Sequence, residues 1–195
     1  MSGERRGLGS GTKIIIGIIV VVLLFVIFLS GKYNRMVKAE ERVKTEFSNI
    51  SVQLQRRNDL IPNLVNTVKG YATHEKETFK AVTDARERMM GANTVNETVE
   101  ADGELTQALG RLIAVAEAYP ELKANENFLS LQDQLEGTEN RIAVARKDYN
   151  QTVNDYNIVI RSFPTNIIAG MFGFEKYELY QGTEQSEQVP VIDFE

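Results

Sequence analysis

The side chains that could make or break bonds are few. His74 is the single histidine among 195 residues, and there is no cysteine. A thiolate nucleophile, a sulfur-rich metal site and a disulfide are therefore excluded. His74-Glu75-Lys76-Glu77-Thr78 lacks the second histidine of a zinc-protease helix, so no two-histidine zinc site is available. His74 as a general base would need a serine brought to it across the fold, whereas a lone histidine is more often plain surface. No Gly-x-x-x-x-Gly-Lys-Ser/Thr run occurs that would cradle a phosphate. The triplets Asn96-Glu97-Thr98 and Asn150-Gln151-Thr152 match the glycosylation pattern but fall in helical stretches. No cofactor is expected, and no metal.

A different set of polar residues stands at inward or near-inward positions. Gln53, Arg57, Asp59 and Asn63 interrupt an apolar run, and Glu139, Asn140 and Arg141 form a second cluster, followed by Tyr149-Asn150 and Asp155-Tyr156-Asn157. Buried polar groups cost several kcal/mol unless paired, so two clusters on facing helices can satisfy each other and fix register. The alternative is a ligand or partner site between helices.

The elements that position these residues read as helices. Residues 14–29, IIIGIIVVVLLFVIFL, are sixteen apolar positions without charge or proline, bracketed by Lys13 and Lys32. With Thr12, Ser30 and Gly31 they reach bilayer length, and the lysines can snorkel. A cleaved signal peptide is the rival, but its apolar core is shorter and no A-x-A pattern precedes Lys32. A single transmembrane helix over 13–31 is therefore expected, after a short N-terminal tail at 1–12. The formal net charge is −5; Arg5, Arg6, Lys13 and Lys32 are four of the 22 basic residues and Glu4 one of the 27 acids. The remaining 18 bases against 26 acids make a poor partner for nucleic acid.

Beyond the span, residues 36, 40, 43, 47, 50, 54, 57, 61, 64, 68 and 71 alternate in steps of three and four. That heptad period predicts a helix over 32–71, with a bend near Asp59–Pro62 and a restart capped by Asp59. A second helix is predicted over 73–90 with Phe79, Val82, Ala85 (or Arg86) and Met89 inward, and a third over 95–118 with Val99, Leu105 (or Thr106), Leu109, Leu112, Ala116 and Tyr119. The fourth is predicted over 121–162, its stripe running from Phe128 through Thr138, Tyr149 and Tyr156 to Phe163. The fold class is all-α: a single N-terminal transmembrane helix followed by an elongated antiparallel helical bundle over 32–163. An apolar segment follows at 164–174, with Ile167, Ile168, Met171, Phe172 and Phe174. It either enters the headgroup boundary or folds back on the bundle base, the commoner fate of apolar residues. Residues 175–195 read as a solvated acidic tail ending in an apolar island, Val189, Val191, Ile192 and Phe194, which is expected to dock on the bundle, a neighbouring subunit or a partner.

Several of these blocks carry a resemblance. Ser48-Asn49-Ile50, the run Gln53-Leu54 to Val65 with Asp59-Leu60-Ile61-Pro62-Asn63-Leu64, Thr67–Ala72 with His74-Glu75, Glu117–Asn125, Thr138–Ile142, Tyr149-Asn150, Tyr156-Asn157, Phe163-Pro164 and Gly173-Phe174 resemble the LemA family. The resemblance covers nearly all of 32–194, with Phe47 where relatives often carry tryptophan. It implies a bacterial membrane-anchored helical bundle without established enzyme activity. Some members recur with membrane metalloproteases of the HtpX type, and one acts in forming magnetosome membranes. The reading is a non-enzymatic, homo-oligomeric membrane scaffold in the bacterial inner membrane. A membrane-anchored adaptor or sensor is its alternative, and a hydrolase the least favoured. The side of the membrane stays open: five basic residues between Lys32 and Lys44 against Arg5, Arg6 and Lys13 favour a cytoplasmic domain, whereas the signal-anchor form favours a periplasmic one, which is the reading taken.

Overall fold

The computed structural model describes residues 10–181, and every regular element among them is an α-helix: α1 (Ser10–Lys69), α2 (Lys76–Gly91), α3 (Val95–Glu117), α4 (Pro120–Lys123), α5 (Glu126–Arg161) and α6 (Thr165–Phe172). Nothing divides the apolar span from the first bundle helix; both are α1. Residues 15–28 of α1 are exposed throughout, and the segment is long and apolar enough to cross a membrane. The docking residues Val189, Val191, Ile192 and Phe194 lie outside the described residues, as does most of the N-terminal tail.

The described residues form two compact units, 42–154 with 178–181 and 10–41 with 155–177, and α1 and α5 contribute to both. In the first unit α1, α2, α3 and α5 form a helical bundle. Short turns join α1 to α2 and α2 to α3, which makes them antiparallel neighbours. Phe47 of α1 stacks near Tyr149 of α5, while Arg57, ten residues on, reaches back to Glu139, so α1 and α5 also run antiparallel. The heptad seam is the core: Val43, Ile50, Leu54, Arg57, Ile61, Leu64 and Val68 are all buried. All four inward positions of α2 are buried too. On α3 the buried face is Thr98, Ala101, Asp102, Leu105, Ala108, Leu109, Leu112 and Ala116, so Val99 and Tyr119 lie beside the core rather than in it.

Two helix ends differ from expectation for local reasons. The fourth helix is divided at Ala124–Asn125, because the Asn125 side chain accepts from the Phe128 N–H (3.1 Å) and starts α5 afresh. Its amide also donates to the Tyr71 hydroxyl (3.0 Å), tying that new start to the turn after α1. By contrast, α1 passes Pro62 without a restart. Asp59 caps nothing; it accepts from Gln55 (2.8 Å) one turn earlier. A proline inside a helix leaves the carbonyl four residues back without its donor. Here that carbonyl belongs to Asn58, and Arg86 Nε of α2 donates to it (3.1 Å). The missing bond is thereby replaced from the neighbouring helix.

In the second unit Met36, Tyr156 and Ile160 are buried, and α6 turns its Thr165, Ile168 and Ala169 inward. Gly173 ends α6 at φ 75°, a left-handed conformation that suits glycine, and the chain turns back with Phe174 N–H donating to Ala169 O (3.0 Å). Phe163, expected on the core stripe, is instead 82% exposed.

The replacement at Asn58 predicts a paired outcome. Arg86→Ala leaves a buried carbonyl unsatisfied and lowers the unfolding free energy by about 1–2 kcal/mol. Adding Pro62→Ala restores the helical donor and recovers most of that loss in chemical denaturation.

Candidate functional site

The densest polar construction in the bundle centres on Arg57. It projects from the seam of α1 and is 2% exposed. Its Nη2 pairs with Asp102 Oδ1 of α3. Its Nη1 donates to Glu139 Oε2 of α5 at 2.8 Å and to Thr106 Oγ1 at 3.4 Å. The other oxygen of Asp102 pairs with Arg146 of α5 and accepts from the Tyr180 hydroxyl at 2.8 Å. The Arg146 guanidinium lies 5.0 Å from the centre of the Tyr180 ring, at cation–π distance. Two guanidiniums thus meet two carboxylates, and the cluster is neutral. Burial first, then the charge of Asp102, pushes the Tyr180 phenol well above its usual range, so it stays a protonated donor.

Of the residues singled out in sequence, the structure joins Arg57 and Glu139 in this network and gathers Gln53, Asn140 and Arg141 along a separate groove. Asp59, Asn63, Asn140 and Arg141 are exposed and stand outside the network. The physical reason is angular: each residue along a helix turns the side chain by about 100°, so Asp59, two positions past Arg57, points to the far side, while Glu139 reaches Arg57 from the flank of the seam beside Thr138. The network's other members, Asp102, Arg146 and Tyr180, were not singled out. Gln53, half-buried, joins Asn49, Val52, Asn140, Arg141 and Val144 along an open groove of about 400 Å³ between α1 and α5. Its Oε1 is buried and meets no protein donor. Among the described residues no three His, Asp or Glu side chains are grouped to hold a metal ion. His74 is exposed in the turn between α1 and α2.

Residues 175–181 are not the solvated tail that their composition suggests. They lie extended against α5, held by two Tyr–Asn pairs, one in each unit. Asn157 Nδ2 donates to Tyr177 O (2.9 Å) and its Oδ1 accepts from Tyr177 N–H (3.2 Å), while the Tyr156 hydroxyl donates to Glu175 O (2.9 Å). Asn150 grips Tyr180 in the same two-way manner (3.0 and 2.7 Å), and the Tyr149 hydroxyl donates to Glu178 O (3.0 Å). An asparagine amide carries one donor and one acceptor side by side, as a strand neighbour would. The spacing fits: seven residues of helix rise ~10.5 Å, and three residues of extended chain cover ~10 Å. This explains two of the polar pairs noticed in sequence, and Tyr180 is left buried at 4% exposure.

Comparison with known proteins adds a family and several relatives. The family model described as LemA family matches residues 46–194. "Magnetosome protein MamQ 2" of Paramagnetospirillum magneticum is 30% identical, with 97% of this chain and 79% of that protein covered. "Magnetosome protein MamQ" of Magnetospirillum gryphiswaldense is 28% identical over 98% of this chain and 79% of its own length. "Protein LemA" of Metamycoplasma hominis is 24% identical over 85% and 76%.

The asparagine clamps predict protease behaviour. Lys176 is the last basic residue, so trypsin acting there releases a single C-terminal peptide. Asn150→Ala with Asn157→Ala removes four hydrogen bonds, each worth about 1 kcal/mol net, and raises the cleavage rate at Lys176 by about tenfold or more. Helix content by circular dichroism stays unchanged.

Proposed function

The chain belongs to the LemA family, and we propose that it acts as a non-enzymatic, single-pass membrane scaffold that assembles with copies of itself. The observation that carries this reading is the continuity of α1. An exposed apolar stretch of bilayer length runs on as the helix whose seam is the bundle core, with no linker. The charged groups inside it are spent on one another, which favours structure over turnover. On this reading the protein resides in a bacterial inner membrane with its bundle on the periplasmic side. It organises membrane or a membrane metalloprotease partner of the HtpX type, and the apolar end Val189–Phe194 docks on a neighbouring copy. The magnetosome proteins among its relatives support the membrane-organising half of the proposal.

A second reading, an adaptor that binds a partner between helices, draws support from the groove beside Gln53 with its unpartnered buried oxygen. Two substitutions separate the two. As part of a structural network, Arg57 is worth about 3 kcal/mol or more, because its loss leaves Asp102 with an incomplete set of partners. A clear drop in stability with Arg57→Ala supports the structural network. Unchanged stability together with lost partner capture in Gln53→Ala, a residue of the groove, supports the adaptor.

Assembly is tested by native mass measurement of the full chain in a mild detergent. The scaffold reading expects an integer multiple of the chain mass, and removal of 186–195 lowers the copy number without changing helix content. A monomer at every concentration contradicts the assembly, and a size unmoved by the deletion contradicts the tail's part in it.

A further inference from the structure

The helix α6 has two apolar faces and only one of them is used. Thr165, Ile168 and Ala169 are 6%, 4% and 3% exposed and pack inward. On the other face Ile167 and Met171, with Phe163 just before the helix, remain 56%, 73% and 82% exposed, whereas Phe172, in line with Ile168 and 57% exposed, ends the inward face against Tyr33. From Ser162 to Phe174 there is no charged residue in thirteen positions. A contiguous exposed patch of this kind marks a contact surface, and its place in the fold says which. The apolar run of α1 ends at Leu29, and Tyr33 stands four residues, or ~6 Å of helix, further on. The headgroup layer on each side of a bilayer is about 5–8 Å deep, so Tyr33 lies within it, where tyrosine is favoured. The rings of Phe172 and Phe174 sit 5.0 and 5.7 Å from the Tyr33 ring. Leu29 is also the one residue of 15–31 that gains partial cover.

We propose that α6 is an interfacial helix, with Phe163, Ile167 and Met171 seated among phospholipid headgroups at the mouth of the span. It rests on the reading of α1 as a bilayer anchor and adds a second contact with the same leaflet. Such a contact fixes how the bundle base meets the membrane, which one spanning helix alone leaves free to tilt. The occupant is lipid because α6 is held beside Tyr33, four residues past the apolar run, and the patch carries no charge to pair with a protein rim.

The absence of cysteine makes single-site labelling direct. Full-length Met171→Cys and, as a distant exposed control on α5, Ser130→Cys are labelled with an environment-sensitive fluorophore. Each is reconstituted in vesicles of phosphatidylcholine and phosphatidylglycerol containing a lipid with a nitroxide near its headgroup. Flotation of the same samples reads anchoring separately. The expected result is flotation of both, with the Met171 label quenched by nitroxide lipid at least about threefold more than the Ser130 label and shielded from aqueous iodide. Flotation with equal iodide access at both sites overturns the proposal while the anchor stands. Shielding from iodide without quenching by lipid means a protein surface covers the face, and also overturns it. Failure to float removes the anchor and this proposal together.

Discussion

A guanidinium shut away from water sets the terms for the bundle. Stripping a charged side chain of solvent costs several kcal/mol, and only close, complete pairing offsets it. Arg57 meets most of that demand through its two terminal nitrogens, with a carboxylate from α3, another from α5 and a hydroxyl from α3, while its Nε is buried without a partner. Asp102, equally enclosed, needs its own second partner and finds Arg146 and Tyr180. Three helices and the extended segment after α6 must therefore arrive at one point together. A slip of one residue moves a helical side chain by 1.5 Å and about 100°, which breaks several of these pairs at once. Apolar packing alone tolerates such slips better, so the buried charges act as the register of the fold.

The same logic governs the polar residues of α5. Tyr149, Asn150, Tyr156 and Asn157 satisfy the backbone of the extended chain after α6. A segment with acidic, water-seeking side chains is thereby fastened through its main chain. Tyr180 then carries that fastening into the Arg57 network through its hydroxyl. What remains for partners is surface: the exposed face of α1 over 15–28, the outer face of α6 and the groove beside Gln53.

Much of this was legible in the residues and some was not. The three-four alternation of α1 located its core because apolar burial repeats with the helix, and it flagged Arg57 as a charge on the seam. The polar neighbours Asp59 and Asn63 stand outside the network and Asn140 and Arg141 line the groove instead, since each step along a helix turns the side chain by about 100°. Asp102 was hidden inside Glu100-Ala101-Asp102-Gly103-Glu104, a stretch that reads as solvated acid. Only its offsets of four from Thr98 and three from Leu105, both inward, could have raised it. Arg146 was masked likewise by Lys147 and Asp148. Pro62 suggested a break because its rescue comes from Arg86, a tertiary partner with no local signature. Phe163 lay in phase with the stripe of α5, but the helix ends at Arg161, and the phase ends with it.

The central claim is that Arg57 and Asp102 act as one structural unit. A double-mutant cycle on the full chain, with Arg57→Met, Asp102→Leu and both together followed by chemical denaturation, measures their coupling. The account predicts a favourable coupling of about 2 kcal/mol or more, each single change being costly and the second adding little. Additivity to within about 0.5 kcal/mol would contradict it.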